Sequence, residues 1–95
     1  MGAGHLVFRL HAIRRMLERD VTVEEVRRVV SQGEVIAHYP DDLPYPSRLF
    51  LGGLDTRPLH VLIADDARDG RTVVITLYEP DPALWSPDFR ARRRS

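Results

Sequence analysis

The sequence predicts an α+β fold, with two N-terminal helices packed on one face of a mainly antiparallel sheet of about four strands. Apolar residues recur with helical spacing up to Gly33 and with a period close to two after it, which indicates two helices followed by strands. The length of 95 residues and the hydrophobic fraction of 43% fit a single domain, residues 1–95. Two separate cores in a chain of this length would each bury too little surface to offset chain entropy.

The first helix is expected at about residues 10–19. Leu10, Ile13 and Leu17 follow the i, i+3, i+7 spacing of a buried stripe. At about 100° per residue, four polar side chains fall together on the other side of this helix. They are His11, Arg14, Arg15 and Glu18. Before the helix, the apolar run LVFRL is compatible with a short strand.

The second helix has the clearest start and end in the sequence. Thr22 and Glu25 have the spacing of a capping box, in which each side chain bonds the backbone N–H of the other residue. Val21 and Val26 have the spacing of a hydrophobic staple, and Gly33 is expected to end the helix. The predicted buried face consists of Val23, Val26, Val29 and Val30.

Four segments rich in branched and aromatic residues are predicted as strands: EVIAHY, RLFLGGL, LHVLIA and TVVITLY. In the last two, the odd-numbered side chains are expected to face the helices; they are Leu59, Val61, Ile63, Val73, Ile75 and Leu77. His60 and Tyr78 then lie on the opposite face of the sheet. If Ala64 pairs with Thr72, His60 opposes Thr76 and has Tyr78 as a diagonal neighbour. An irregular proline-rich segment, 80–88, and a basic tail, 89–95, are expected to follow.

Composition restricts the function classes. Fourteen basic residues, all of them arginine, balance fourteen acidic residues, which argues against a protein that coats nucleic acid by bulk charge. Any phosphate-binding site must therefore be local. The chain has no cysteine, and its apolar runs are far shorter than the roughly 20 residues that span a bilayer. A cytoplasmic location and no membrane partner are expected.

Several chemistries lack their sequence motifs. The four histidines, at positions 5, 11, 38 and 60, do not have the spacing of a metal site. There is no glycine-rich loop for cradling phosphate, and no nucleophile motif surrounds any of the serines. Neither a metal nor another cofactor is predicted.

Three blocks in order resemble one bacterial family. HAIRRMLERDV resembles its signature of histidine, alanine, two variable residues, arginine and methionine; RPLHVLIA and TVVITLYEPDPALW resemble its later blocks. The matches run from His11 to Trp85, and the chief departure is Asp20, where glycine is common. The chain is identified as a member of the domain-of-unknown-function family four-two-five-eight.

This resemblance implies similarity to the RelE-like, MqsR-like and BrnT-like toxins of type II toxin-antitoxin systems, which cleave RNA without a metal. The implied partners are a cognate antitoxin, often one with a zinc-finger module, and RNA, either free or as ribosome-bound messenger. An exposed sheet edge could also support a homodimer.

Metal-free cleavage by the ribose 2′-hydroxyl requires a base, an acid and stabilisation of the phosphate charge. His11 and His60 are the predicted proton-transfer residues, Arg15 is expected to hold the phosphate beside His11, and Tyr78 is expected to assist. The predicted RNA-binding residues are Arg14, Arg19, Arg48, Arg90 and Arg92.

Each role has a structural alternative. His11 could start the first helix while Arg15 pairs with Glu18, His60 could be a hydrogen-bonded core residue, and Tyr78 could serve packing alone. The chain could accordingly be a non-catalytic domain that binds a protein or RNA. The aromatic residues that could stack on the bases of single-stranded RNA are too scattered along the chain to indicate a platform that binds RNA of any sequence.

Overall fold

The structure, a computed structural model, describes residues 5–94, so the ends of the predicted 1–95 domain, residues 1–4 and 95, lie outside the described part. The elements are β1 (His5–Phe8), α1 (Leu10–Arg19), α2 (Val23–Gln32), β2 (Glu34–Tyr39), β3 (Ser47–Gly52), β4 (Leu59–Asp66) and β5 (Arg71–Tyr78). Both helices precede the main run of strands and contact the same sheet, α1 on β5 and α2 on β3 and β4. The predicted α+β class is confirmed.

The sheet differs from the prediction in strand number and in one pairing. The described residues form five strands in the order β1-β5-β4-β3-β2, rather than about four. β2 to β5 form a continuous antiparallel meander, whereas β1 pairs with β5 in parallel. Parallel strands need a long connection, and α1, α2 and three strands form that connection between β1 and β5.

The register of β4 against β5 contains a bulge that the alternation rule does not foresee. Leu62 pairs with Thr76 but Ile63 pairs with Val74, so that Ile75 is the extra residue. A bulge reverses which side chains face the helices beyond it. Consequently Val74, not Val73, joins the core cluster beneath the helices, and His60 pairs directly with Tyr78 rather than with Thr76.

The buried face of α1 is also different from the predicted one. Ala12 and Met16 are the buried residues of this helix. The predicted stripe of Leu10, Ile13 and Leu17 is exposed, at 63%, 41% and 79% of each residue's surface. Ala12 is fully buried, and a side chain of that size lets the helix backbone lie close to the sheet. The larger apolar side chains are thereby left on the flank that faces solvent.

The second helix begins and ends as predicted. The Thr22 hydroxyl accepts from the Glu25 backbone N–H at 3.1 Å, and the Glu25 carboxylate accepts from the Thr22 N–H at 3.0 Å. Val21 and Val26, the predicted staple, are both buried in the core cluster. Gly33 ends the helix in an extended conformation, and close packing explains the glycine. An added Cβ would lie 2.4 Å from the Val29 carbonyl oxygen and 2.7 Å from that of Leu51.

The turn between the helices is held by a residue from a distant loop. The Arg57 guanidinium donates to the backbone carbonyls of Arg19 and Asp20, each at 2.9 Å, and to both carboxylate oxygens of Glu25 at 3.0 Å. These carbonyls are at the C-terminus of α1, where the last backbone acceptors lack partners within the helix. Arg57 therefore joins the end of α1 to the start of α2.

Asp20 occupies a left-handed backbone conformation, with φ 54° and ψ 48°. This is the turn position at which the family resemblance leads one to expect glycine. In this region the Cβ atom of any residue other than glycine crowds the backbone, which destabilises the conformation. We expect Asp20→Gly to raise the free energy of unfolding by about 0.5–1 kcal/mol, measured by urea denaturation. Glu18→Gly, within helix α1 that Asp20 follows, should instead lower the free energy of unfolding by about 1 kcal/mol. A loss of stability in Asp20→Gly would contradict this interpretation.

The C-terminal segment lies on the sheet face that the helices leave open. Residues 80–88 follow an irregular path, as predicted, and Trp85 forms an isolated antiparallel bridge with Arg92. Trp85 is buried against the His60 ring, with the ring centroids 4.4 Å apart. Residues 89–94 are folded back rather than freely solvated, since the Arg93 side chain donates to the Pro82 carbonyl at 2.7 Å. The segment acts as a cover over one end of β4.

Candidate functional site

The four predicted catalytic residues lie on two opposite sides of the molecule. His11 and Arg15 are on the outward side of α1, whereas His60 and Tyr78 project from the sheet face away from the helices. This orientation of His60 follows from its neighbours, because Leu59 and Val61 belong to the core beneath the helices and alternate with it. The structure therefore brings together two pairs, and it does not bring together all four residues.

His60 is a fully buried, hydrogen-bonded residue. Its Nε2 is 2.9 Å from the Phe89 carbonyl oxygen, and its Nδ1 is 3.2 Å from the Tyr78 hydroxyl. A carbonyl can only accept, so Nε2 carries the proton and Nδ1 accepts from the hydroxyl of Tyr78. The ring also meets Trp85 and Tyr78 edge to face. Both nitrogens and the Tyr78 hydroxyl proton are engaged within the protein, which favours the structural alternative for His60.

Burial lowers the pKa of His60 below its ordinary 6.5, and the hydrogen bond to the Phe89 carbonyl raises it by less. The unfolded chain therefore binds this proton more tightly than the folded chain does. We expect the free energy of unfolding to fall as the pH drops below about 6.5 towards the folded-state pKa, and to be insensitive to His60 above that range. Urea denaturation between about pH 7.5 and pH 5 measures this dependence.

The matched control for this pH dependence is an exposed histidine. His38→Gln removes a solvent-exposed imidazole from β2, so the dependence should persist in that variant. It should be largely lost in His60→Gln, which keeps a polar side chain of similar length. An unchanged dependence in His60→Gln would show that another group is responsible.

His11 and Arg15 are accessible from solvent on α1. His11 is exposed, and the Arg15 side chain retains 38% of its surface while pairing with Glu18 at 3.7 Å. The pairing with Glu18 is the structural alternative predicted from the sequence. The Glu18 carboxylate occupies a guanidinium that a phosphate would otherwise contact. An ion pair this exposed contributes little to stability.

The predicted RNA-binding arginines are dispersed over several surfaces. Arg48 binds Asp65 through two bonds of 2.9 and 3.0 Å, and Arg90 pairs with Glu34 at 2.7 Å. Arg92 stacks over the Trp85 ring at 5.5 Å. Arg14 and Arg19 are exposed on α1. Two of the five are thus neutralised by acidic partners, and the set does not form one continuous basic surface.

The most distinctive surface feature is an apolar groove between α1 and α2. Its walls are Ile13 and Leu17 on α1 and Val23 on α2; the other lining residues are Phe8, Met16 and Val21. The cavity has a volume of about 330 Å³. Leu10, at the exposed start of α1, extends the apolar surface. We call this feature the α1–α2 groove.

Cationic side chains flank the α1–α2 groove. Arg14 follows Leu10 by four residues on α1, and Arg27 follows Val23 by four residues on α2, so each lies beside an exposed apolar residue. Both are exposed, and no ion pair within residues 5–94 includes either of them. The groove therefore combines an apolar interior with an exposed arginine near each wall.

Comparison with known proteins gives one match. The family model described as "Domain of unknown function (DUF4258)" matches residues 8–79, which include every helix and every strand except most of β1. The chain belongs to this family. No curated protein and no solved structure gives a significant match. The similarity to RelE-like, MqsR-like and BrnT-like toxins stays a prediction.

The DUF4258 domain contains features that the sequence interpretation missed. The stripe Leu10, Ile13 and Leu17, which the spacing predicts as buried, instead borders the α1–α2 groove. α1 carries apolar side chains over about 160° of its circumference, an arc wider than one contact face needs. No sequence motif marks Arg57, because two of its three partner residues are bonded through backbone carbonyls at the end of α1. Within residues 5–94, no cluster of metal-ligating side chains occurs, and no helix is long and apolar enough to cross a membrane.

Proposed function

We propose that this DUF4258 domain is a protein-interaction module whose α1–α2 groove binds an amphipathic, acidic segment of a partner protein. The observation that carries the proposal is the exposure of Ile13, Leu17 and Val23, which line the groove, and of Leu10, which lies one turn before Ile13 on α1. Contiguous apolar surface of this kind in a soluble domain is characteristic of interaction sites. Because the isolated fold leaves much of these side chains uncovered, binding is the function that accounts for their exposure.

The size of the expected effect supports binding through this groove. Burying one leucine or isoleucine side chain completely contributes about 1.5–3 kcal/mol. Leu17, at 79% exposure, has nearly all of that contribution available to a partner. A helix that presents apolar residues at i, i+3 and i+4 matches a groove bounded by two helices.

The arginines beside the groove indicate the charge expected of the partner. Arg14 and Arg27 lack acidic partners among the described residues, so glutamate or aspartate on the flanks of the incoming segment gives electrostatic complementarity. The predicted cognate antitoxin is the natural source of such a segment if the resemblance to toxins extends to partnership. In that case the domain is the toxin component of a type II pair, and the groove is where the antitoxin docks.

Leu17→Glu is expected to weaken binding of an acidic amphipathic peptide by tenfold or more, because it removes buried apolar area and opposes the peptide's charge. The probe is a fluorescein-labelled helix with leucines at i, i+3, i+4 and i+7 and glutamates between them, and the measurement is fluorescence anisotropy. Leu43→Glu makes the same change at a loop residue with 91% exposure, outside the groove. That variant should bind the peptide as wild type does. Equal affinity of Leu17→Glu and wild type would contradict the proposal.

A second candidate function is metal-independent RNA cleavage. The observation that favours it is the accessible pair of His11 and Arg15, one turn apart on α1. The experiment is incubation of purified protein with a long RNA in excess chelator, comparing wild type with His11→Ala, Arg15→Ala and His60→Ala. Cleavage that is lost in the first two variants supports an enzyme centred on α1. Absence of cleavage by well-folded wild type supports the interaction module alone.

A further inference from the structure

The geometry points to a second binding site, on the sheet face opposite the helices, which takes the guanidinium group of an arginine side chain from a partner polypeptide. The site is a cleft lined by Tyr39, Asp42, Leu49, Leu62 and Tyr78, with a volume of about 280 Å³. We call it the outer cleft. It is separate from the α1–α2 groove and does not depend on the function proposed for that groove.

Two neighbouring strands form the apolar floor of the outer cleft. Leu49 on β3 pairs directly with Leu62 on β4, and both point away from the helices. Tyr39, at the end of β2, and Tyr78, at the end of β5, add aromatic rings to the lining. The volume is slightly below the roughly 300–1,000 Å³ typical of pockets for drug-sized ligands. A single side chain with an apolar stem is therefore the ligand size that fits.

A buried hydroxyl orients the carboxylate at one end of the cleft. Ser47 is 1% exposed, and its Oγ donates to Asp42 Oδ2 at 2.5 Å. The Asp42 backbone N–H donates to the Tyr39 carbonyl at 3.2 Å, which fixes the start of the loop that carries the carboxylate. These two bonds hold Asp42 at the part of the cleft that Tyr39 also lines, and neither bond neutralises its charge.

The electrostatics of the cleft favour a cation. No ion pair among residues 5–94 includes Asp42 or its neighbour Asp41, so two carboxylates stand at this edge without basic partners. One cation lies near the other end: Arg92 stacks over the Trp85 ring, and Trp85 packs against His60, which bonds the Tyr78 hydroxyl. An incoming cation is therefore expected at the Asp42 end of the cleft, away from Arg92.

Guanidinium fits this arrangement better than ammonium. Its planar fork can donate two parallel bonds to a carboxylate, and its face stacks on an aromatic ring. The methylene stem of an arginine can lie along Leu49 and Leu62 while the fork meets Asp42. A lysine ammonium is a strongly hydrated point charge. It stacks less well on the ring face than a guanidinium does, and it cannot bond both carboxylate oxygens in the same parallel arrangement.

The test is calorimetric titration of the whole chain with L-argininamide and, separately, with L-lysinamide. Argininamide is expected to bind more tightly. Asp42→Asn should weaken argininamide binding by about tenfold, and Tyr39→Leu, which keeps apolar bulk but removes the ring, by about two- to fivefold. Asp41→Asn removes the same charge from the adjacent residue, which does not line the cleft, and should change the affinity by less than about twofold.

Three outcomes would overturn the proposal: no argininamide binding by folded wild type, equal affinity for lysinamide, or an Asp41→Asn effect as large as that of Asp42→Asn. Thermal denaturation establishes that each variant is folded, and asparagine retains an oxygen that can accept from Ser47. Leu17→Glu should leave argininamide binding unchanged. Failure of this site is therefore distinguishable from failure of the α1–α2 groove.

Discussion

Gly53→Ala is expected to lower the free energy of unfolding by about 3 kcal/mol or more. Gly53 has φ +72°, in the left-handed region where an alanine is disfavoured by about 1–2 kcal/mol. An added Cβ would also lie 2.2 Å from the backbone oxygen of Arg57, and relieving such a clash requires a backbone shift that costs roughly another 1–3 kcal/mol. The shift would move Arg57, whose guanidinium holds the turn between α1 and α2.

Gly70→Ala is the matched control for this prediction. Gly70 has a similar φ of +64°, but an added Cβ meets no atom within 4 Å. Its substitution should therefore cost only the conformational part, about 1 kcal/mol. Urea denaturation of both variants separates the steric contribution from the conformational one. Equal losses of stability at the two positions would show that the Arg57 backbone does not restrict Gly53.

His60→Ala is expected to lower the free energy of unfolding by about 3 kcal/mol. The substitution empties a fully buried site, and it removes the hydrogen bonds to the Phe89 carbonyl and the Tyr78 hydroxyl. Truncation of a large buried side chain to alanine costs about 2–5 kcal/mol, and each unpaired buried polar group adds to the loss. Differential scanning calorimetry or urea denaturation measures the change.

Tyr78→Phe provides the graded comparison for His60→Ala. It removes only the hydroxyl that bonds Nδ1 of His60, and should cost about 1 kcal/mol. A large effect at His60 with a small one at Tyr78 supports a role for the imidazole in attaching the C-terminal segment to the sheet. If His60→Ala left stability unchanged, a structural role would not explain the buried imidazole, and the result would favour a catalytic role for His60.

Features set by neighbouring residues were predictable from the sequence. The capping box of Thr22 and Glu25 depends on residues three apart, and the structure contains both of its bonds. The placement of His60 and Tyr78 on the sheet face away from the helices required only strand alternation. Each of these rests on a period or spacing that operates over a few residues.

Features set by distant contacts were not predictable in the same way. The pairing of β1 with β5 joins residues more than 60 positions apart, as in His5 with Arg71. The bulge at Ile75 arises from how β4 and β5 fit together, and a pattern of alternating residues does not reveal it. The contact of His60 with Phe89 uses a backbone carbonyl, which every residue has and which no sequence motif marks.

The exposed apolar face of α1 bears most directly on function. Leu10, Ile13 and Leu17 have a valid helical period, but so do Ala12 and Met16 on the adjacent face. Periodicity shows that a helix is amphipathic and does not say whether each apolar face meets its own chain or another one. The face that the spacing predicts as buried is the face that the structure leaves exposed.

Methyl NMR tests most directly whether the α1–α2 groove binds an acidic amphipathic segment. Protein with labelled methyl groups in isoleucine, leucine and valine is titrated with the glutamate-bearing helical peptide and with a counterpart in which lysine replaces each glutamate. We predict saturable shifts of the Ile13, Leu17 and Val23 methyl groups with the acidic peptide, and much weaker ones with the basic peptide. Shifts centred on other residues, or no saturable shift in the groove, would contradict the account.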